Sequence, residues 1–108
     1  MTDKTTTVAE IKTHIQDFAD ARNWREGEDA KDLVMAMMIE AAELAEVLLR
    51  LDSADAASVR ANAEAYEHLQ DELADVFWYL CRVCGHFGVD LANAVEKKTV
   101  KNARKYPV

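Results

Sequence analysis

The chain has 108 residues, half of them apolar, with 13 basic and 20 acidic side chains and a net charge of −7. This length predicts one domain, and three glycines and one proline leave little to interrupt helices between Val8 and Arg104, so we expect an all-α fold. The acidity argues against nucleic-acid or membrane binding. With no signal peptide or membrane-length apolar run, a cytoplasmic protein is expected.

The first half of the chain contains two predicted helices. The first runs from Val8 to Asn23, and Thr7 followed by Glu10 three residues later has the spacing of a capping box. Gly27 and the charges around it indicate a loop. The second helix then runs from Ala30 to Leu51.

Two more helices are predicted in the second half. The third begins at Ala57 or Ser58 and ends at His86, where Gly85 and Gly88 bracket its end as C-cap residues. Asp90 is the expected N-cap of a fourth helix from Leu91 to Arg104. The chain is therefore expected to form four helices.

The second and third helices each have an apolar stripe when plotted at 100° per residue. On the second helix the stripe consists of Leu33, Met37, Leu44, Val47, Leu48 and Leu51. Glu40 falls in the middle of it and Glu43 on its edge. On the third helix the stripe consists of Leu69, Leu73, Val76, Leu80, Val83 and Phe87, and it is bordered by Glu72 and Asp75.

These four acids form two acid-x-x-acid pairs that we expect to converge. A short connection makes the two helices antiparallel neighbours, with the pairs at similar heights. Ionised carboxylates in an apolar seam need compensation, and a hard divalent cation supplies it. With no histidine or cysteine ligand nearby, Mg²⁺ fits best and Mn²⁺ also fits, whereas a di-iron site would need Glu-x-x-His pairs. The alternative is a solvated acidic face, which suits Glu40 least.

A polar lane runs beside the apolar stripe of the third helix. Its members are His68, Glu72, Asp75, Tyr79, Arg82 and His86. Tyr79, one turn beyond Asp75, is suited to ligand contact, while an interhelical hydrogen-bonding role stays open for the histidines and Arg82. Cys81 and Cys84 lie inside the apolar part of this helix and are interpreted as two reduced core cysteines.

With these motifs the chain resembles the MazG-like nucleotide pyrophosphohydrolases, also called all-α NTP pyrophosphatases. The family pattern is Glu-Glu-x-x-Glu, a spacer, then Glu-x-x-Asp, matched here by residues 39–43 and 72–75 with Ile39 in place of the first Glu. The resemblance extends from about Phe18 to Pro107 and is greatest to the compact dCTP-pyrophosphatase-like branch. Further matching stretches are residues 18–24, 90–95 and the Lys98, Asn102, Tyr106-Pro107 tail.

The resemblance implies a four-helix bundle-like fold, assembled as a homodimer or homotetramer, that hydrolyses a nucleoside triphosphate to the monophosphate and pyrophosphate. By match to the motif, Glu40, Glu43, Glu72 and Asp75 would hold Mg²⁺, and Glu40 or Glu43 would take the proton of the attacking water. The residues implied to contact substrate are Trp24, Tyr79, Lys98 and Asn102. The expected substrate is a dNTP or modified nucleotide, and the expected role is cleaning of the nucleotide pool.

The resemblance is not taken to imply which nucleotide base the chain prefers, because Ile15 stands where the compact branch tends to have a histidine. Two other functions are weighed against hydrolysis at the α–β bond. One is a non-catalytic nucleotide-binding or regulatory module with the same fold, for which Ile39 is the sequence support. The other is a metal-dependent phosphatase that would release orthophosphate. Apolar residues outside the main stripe of the second helix predict a partner surface: Val34, Met38, Ala41 and Ala45.

Overall fold

The computed structural model describes residues 1–108 and contains five α-helices and no strand. They are α1 (Val8–Asp20), α2 (Ala30–Leu49), α3 (Ala56–Ala61), α4 (Ala63–Phe87) and α5 (Leu91–Lys105). The all-α class is confirmed. The chain divides into two compact units, unit 1 from Met1–Glu26 and Cys81–Val108 and unit 2 from Gly27–Leu80. That the whole chain forms one domain stays a prediction.

The caps predicted for α1 and α5 are present. The Thr7 side chain accepts a hydrogen bond from the Glu10 N–H at 3.1 Å, and the Thr7 N–H donates to Oε1 of Glu10, which completes the capping box. Asp90 accepts from the N–H of Asn93 at 2.9 Å. Each cap satisfies a backbone donor that has no partner within the helix, and so fixes where the helix begins.

The prediction of one continuous third helix is wrong. Asn62 separates α3 from α4 with φ −95° and ψ 98°, and its Oδ1 accepts from the N–H of Ala65 at 3.1 Å. Asn competes for backbone hydrogen bonds with its own side chain, so it favours a helix start over a helix interior. The chain therefore has five helices where four were expected.

Two helices end in turns with a left-handed residue. The first ends at Asp20, before the predicted Asn23, because Asn23 has φ 56° and the N–H of Trp24 donates back to the Ala19 carbonyl at 3.0 Å. At the end of α4, Gly88 has φ 64° and the N–H of Val89 donates to the Cys84 carbonyl at 2.9 Å. Both have the long hydrogen bond of a Schellman motif.

Each unit has its own small set of buried side chains. In unit 1 these are Ile15, Ala19, Cys81 and Cys84, and in unit 2 they are Leu33, Val47, Val59 and Glu72. Both cysteines are free thiols, as predicted, and burial raises the pKa of Cys81. The Lys12 Nζ donates to the Val89 carbonyl at 2.6 Å and so ties α1 to the turn before α5.

The apolar stripe predicted for the second helix is buried or half-buried, although α2 ends at Leu49 and not at the predicted Leu51. On α4, two of the six predicted stripe residues are exposed. Leu73 is 50% exposed and Phe87 63% exposed, although both were expected in the core. The inward side of α4 instead includes Glu72, which lies about 100° from Leu73 around the helix. Glu72, predicted to border the stripe, is thus more deeply buried than Leu73, predicted to lie within it. None of the five helices has the length and apolar character needed to cross a bilayer.

Candidate metal centre

Three of the four predicted acids meet in unit 2, where α2 carries one pair and α4 the other. One carboxylate oxygen from each of Glu40, Glu43 and Glu72 lies within 4.8 Å of the other two. Glu40 and Glu43 are three residues apart and so share one face of α2. A cluster of this size presents several oxygens from two helices to a single point.

Glu72 is the most enclosed member, with only 7% of its surface exposed. Its Oε1 lies 3.3 Å from Nε2 of His68, one turn earlier on α4. Its Oε2 is buried and has no hydrogen-bond partner. A buried carboxylate oxygen without a partner costs free energy, because it has lost its hydration and gained nothing in return. An oxygen in this situation is suited to contact with a cation.

Glu40 is partly buried and carries the strongest electrostatic perturbation of the cluster. Burial, followed by hydrogen bonding to Glu72 and by the negative charges of Asp75 and Glu43, raises the pKa of Glu40 from 4.5 to about 7. The cause is crowding of like charges in a poorly hydrated place. A cation bound at the cluster would offset both the loss of hydration and the repulsion between the carboxylates.

Asp75 and Tyr79 follow Glu72 at one-turn intervals along α4. Asp75 is exposed and is not among the three acids whose oxygens converge, although its charge acts on Glu40. Tyr79 is half-buried. The structure therefore brings together three of the predicted four carboxylates, and Asp75 stands at the edge of the group.

The donor set fits a hard divalent cation. Carboxylate oxygens are the ligands that Mg²⁺ and Mn²⁺ prefer, and no cysteine or histidine belongs to the converging group. The orphaned oxygen of Glu72 and the raised pKa of Glu40 are both conditions that such a cation would reverse. Glu40, Glu43 and Glu72 could therefore hold a divalent metal ion.

The other predicted binding residues lie in unit 1. Trp24 is 48% exposed in the turn after α1, and its ring meets that of Phe18 edge-on with centroids 5.6 Å apart. The guanidinium of Arg22 lies 3.4 Å from the centroid of the Phe18 ring, and that of Arg82 lies 6.0 Å from the Trp24 ring. These contacts form an exposed aromatic surface edged by positive charge, which suits a flat, electron-rich ring.

Lys98 and Asn102 are exposed and lie one turn apart on α5. The Asn102 carbonyl accepts from the N–H of Tyr106 at 2.8 Å, which closes the helix. The two side chains thus share one face of α5, and their joint use in substrate binding stays a prediction.

Sequence reasoning missed two features of these sites. From the sequence His68 was open to an interhelical role, whereas it contacts Glu72 within α4. The signal for this pair was the four-residue spacing on one helix. The two arginines beside the aromatic surface were not assigned to it. Arg22, in the turn after α1, is four residues from Phe18, a spacing that favours contact at the end of a helix. Nothing local in the sequence relates Arg82 to Trp24.

Proteins of similar sequence include dCTP pyrophosphatases. At 31% identity, dCTP pyrophosphatase 1 from Rattus norvegicus aligns over 102 residues, 94% of this chain and 60% of the relative. The enzyme of the same name from Homo sapiens is also 31% identical, over 94% of this chain and 59% of its own length. The chain thus spans about 60% of the length of these curated relatives.

A solved structure extends the likeness to the whole fold. The crystal structure of a pyrophosphatase from Archaeoglobus fulgidus superposes with a TM-score of 0.82 at 29% identity, covering 100% of this chain and 99% of that one. The family model described as MazG-like matches residues 35–108, which include all four predicted metal ligands. This match covers more than half of the chain, and the protein therefore belongs to the MazG-like family.

Proposed function

We propose that the chain is a Mg²⁺-dependent nucleoside triphosphate pyrophosphohydrolase, which cleaves between the α and β phosphates to give the monophosphate and pyrophosphate. The observation that carries the proposal is the buried, partnerless Oε2 of Glu72 within a cluster of three carboxylates. Such a cluster is explained by a bound cation, and Mg²⁺ works with phosphate-bearing substrates. The names of the relatives, dCTP pyrophosphatase and pyrophosphatase, agree with this chemistry.

The carboxylates would have two roles, metal binding and proton acceptance. Divalent cations, when bound, neutralise phosphate charge and make water a better nucleophile. Glu40, Glu43, Glu72 and Asp75 would hold them. Glu43, the exposed member of the α2 pair, or Glu40 would accept the proton as water attacks the α phosphorus and pyrophosphate leaves. Mn²⁺ is expected to substitute for Mg²⁺, because it prefers the same oxygen ligands.

The remaining residues would bind the nucleotide. Trp24 offers an exposed ring for the base, and Tyr79 a hydroxyl or ring one turn beyond Asp75. Lys98 and Asn102 would contact phosphate or sugar, since Lys98 brings positive charge to a chain that is otherwise acidic. The substrate is proposed to be a dNTP or a modified nucleotide, with pool cleaning in the cytoplasm as the role.

Product analysis tests the reaction directly. The protein is incubated with Mg²⁺ and a panel of NTPs, dNTPs including dCTP, and base-modified analogues in water enriched in ¹⁸O. The products are then followed by ³¹P NMR, where ¹⁸O shifts the resonance of the phosphorus that was attacked. We expect pyrophosphate and a monophosphate that carries the ¹⁸O label. Orthophosphate with a diphosphate would overturn the α–β cleavage in favour of a phosphatase, and no turnover would favour the binding module.

We also propose that the chain works as a homodimer or homotetramer. Several large apolar side chains of α2 are exposed, among them Met35 at 61%, Met38 at 65% and Ile39 at 58%. Burial of such a patch against another copy would remove apolar surface from water. Light scattering coupled to size-exclusion chromatography distinguishes the states, and a monomer at all concentrations would refute this part of the proposal.

A further inference from the structure

His68 makes the contact that holds the most buried carboxylate of the cluster. Its Nε2 lies 3.3 Å from Oε1 of Glu72, and the two residues are one turn apart on α4. The side chain of His68 is 54% exposed, whereas that of Glu72 is 10% exposed. The imidazole ring is therefore partly exposed to solvent and also contacts a buried carboxylate.

This contact leaves the two oxygens of Glu72 in different situations. Oε1 faces the Nε2 atom of His68, while Oε2 is buried and has no hydrogen-bond partner. Glutamate has three rotatable side-chain bonds, and its terminal torsion is broad, so an unrestrained carboxylate can turn either oxygen inward. An imidazole in contact with Oε1 restricts that rotation and leaves Oε2 available to another ligand.

His68 itself stands outside the converging group. The three residues whose oxygens lie within 4.8 Å of one another are all glutamates. Mg²⁺ selects oxygen over nitrogen ligands, so an imidazole beside a Mg²⁺ carboxylate is better suited to orient the ligand than to coordinate. Outer partners of this kind typically change metal affinity by roughly 10–100-fold when removed.

We infer that His68 is a positioning residue of the metal centre: it engages Oε1 of Glu72 and thereby presents Oε2 to the divalent cation held with Glu40 and Glu43. The inference rests on the cation dependence of the proposed function. It assigns His68 no contact with the nucleotide and no proton transfer. Its effect is on the affinity for the metal, not on the chemistry that follows.

The test is a metal titration of the full chain without nucleotide. Protein stripped with EDTA is titrated with Mn²⁺, and free ion is measured by its electron paramagnetic resonance signal. We compare wild type with His68→Ala, His68→Gln and Gln70→Ala, the last a neutral, exposed control two residues away on α4. We expect His68→Ala to weaken binding about tenfold. His68→Gln should regain most of the affinity, because its amide can donate to the same oxygen, and Gln70→Ala should leave binding unchanged.

Two further readouts separate positioning from other roles. In His68→Ala the Mg²⁺ concentration for half-maximal activity should rise about tenfold, while kcat at saturating Mg²⁺ is retained. Pulsed spectra of bound Mn²⁺ should show no directly coordinated ¹⁴N. Coordinated ¹⁴N, or unchanged Mn²⁺ affinity in a folded His68→Ala protein, would overturn the inference and leave the proposed function intact. A wild-type protein that binds neither cation would overturn both.

Discussion

Glu40 and Glu72, thirty-two residues apart on α2 and α4, bring carboxylate oxygens within 4.8 Å of each other, and after burial the proximity of Glu72 is the next cause that raises the pKa of Glu40 to about 7. Two carboxyl groups in such contact hold a proton between them more readily than either would alone. Glu40 therefore holds its proton up to a higher pH than an isolated glutamate does.

The first prediction concerns stability against pH in EDTA. Glu40 binds its proton more tightly in the folded chain, so between pH 4.5 and about 7 the folded state holds more protons than the unfolded state. The free energy of unfolding should accordingly fall, by roughly 1–3 kcal/mol, as pH rises through this window. Urea unfolding at pH 5, 6, 7 and 8 measures this. In Glu40→Gln the free energy of unfolding should depend less steeply on pH. An unchanged pH dependence would mean that other titratable groups cause it.

The second prediction concerns the metal-free stability at neutral pH. Glu40 lies within the apolar face of α2, so Glu40→Leu exchanges a poorly hydrated carboxyl for apolar packing. We expect the free energy of unfolding in EDTA to rise by about 1–3 kcal/mol. Thermal unfolding with and without Mg²⁺ measures it, and the variant should also lose most of the stabilisation by Mg²⁺. A lower Tm in EDTA would mean that Glu40 makes an essential contact with the protein.

The third prediction concerns the role of Glu72. Glu72→Gln keeps the size of the side chain and removes its charge, so the helical circular dichroism should be preserved. Mg²⁺-dependent hydrolysis should fall by at least ~100-fold, because removal of a residue that only supports a metal ligand already costs up to about 100-fold and Glu72 is expected to be a ligand itself. Glu67→Gln, which neutralises an exposed acid on the same helix, is the control and should keep activity. Retention of activity by Glu72→Gln would exclude Glu72 as a ligand.

The fourth prediction uses two glycines near the end of α4 as a matched pair. Gly85 lies inside the helix, and an added Cβ would meet only Oε1 of Gln16 at 3.9 Å, so Gly85→Ala should stabilise by about 0.5–1 kcal/mol. Gly88 has φ 64° and open space around a Cβ, so Gly88→Ala should destabilise by about 1–2 kcal/mol through backbone strain alone. Equal effects in urea unfolding would contradict the left-handed cap.

The fifth prediction concerns Trp24 as the surface for the base. Stacking of a base on an aromatic ring is worth about 1–3 kcal/mol, so Trp24→Ala should raise KM about tenfold with a smaller change in kcat. Trp24→Phe should retain most of the affinity because a ring remains. An unchanged KM in Trp24→Ala would leave Trp24 only its packing against Phe18, 5.6 Å away.

Local signals in the sequence predicted most of the fold. Thr7 and Asp90 begin their helices because a side-chain oxygen can satisfy a free backbone N–H nearby, and that chemistry is visible in four consecutive residues. Asn62 has the same ability but stands within a pattern that otherwise continues as a helix. Which tendency wins there depends on packing around α3, which the sequence pattern does not contain.

The candidate site was predictable in its members but less so in its geometry. An acid within an apolar stripe is a strong signal, and Glu40 was found by it. The wheel located the core side of α4 from its leucines, yet Glu72 is buried and Leu73 is half exposed. The orientation of a helix is set by what packs against it, so periodicity alone does not decide which of two neighbouring residues at the edge of a stripe is buried.

The two units differ in the number of chain segments that form them. Unit 2 is one continuous stretch, Gly27–Leu80, whereas unit 1 joins Met1–Glu26 to Cys81–Val108, with the hydrogen bond from Lys12 to Val89 spanning 77 residues. Contacts between distant segments must close a long loop before they contribute, and a chain is synthesised from its N-terminus. The segment that carries the carboxylate cluster is therefore synthesised before Val89, the residue that Lys12 of α1 contacts.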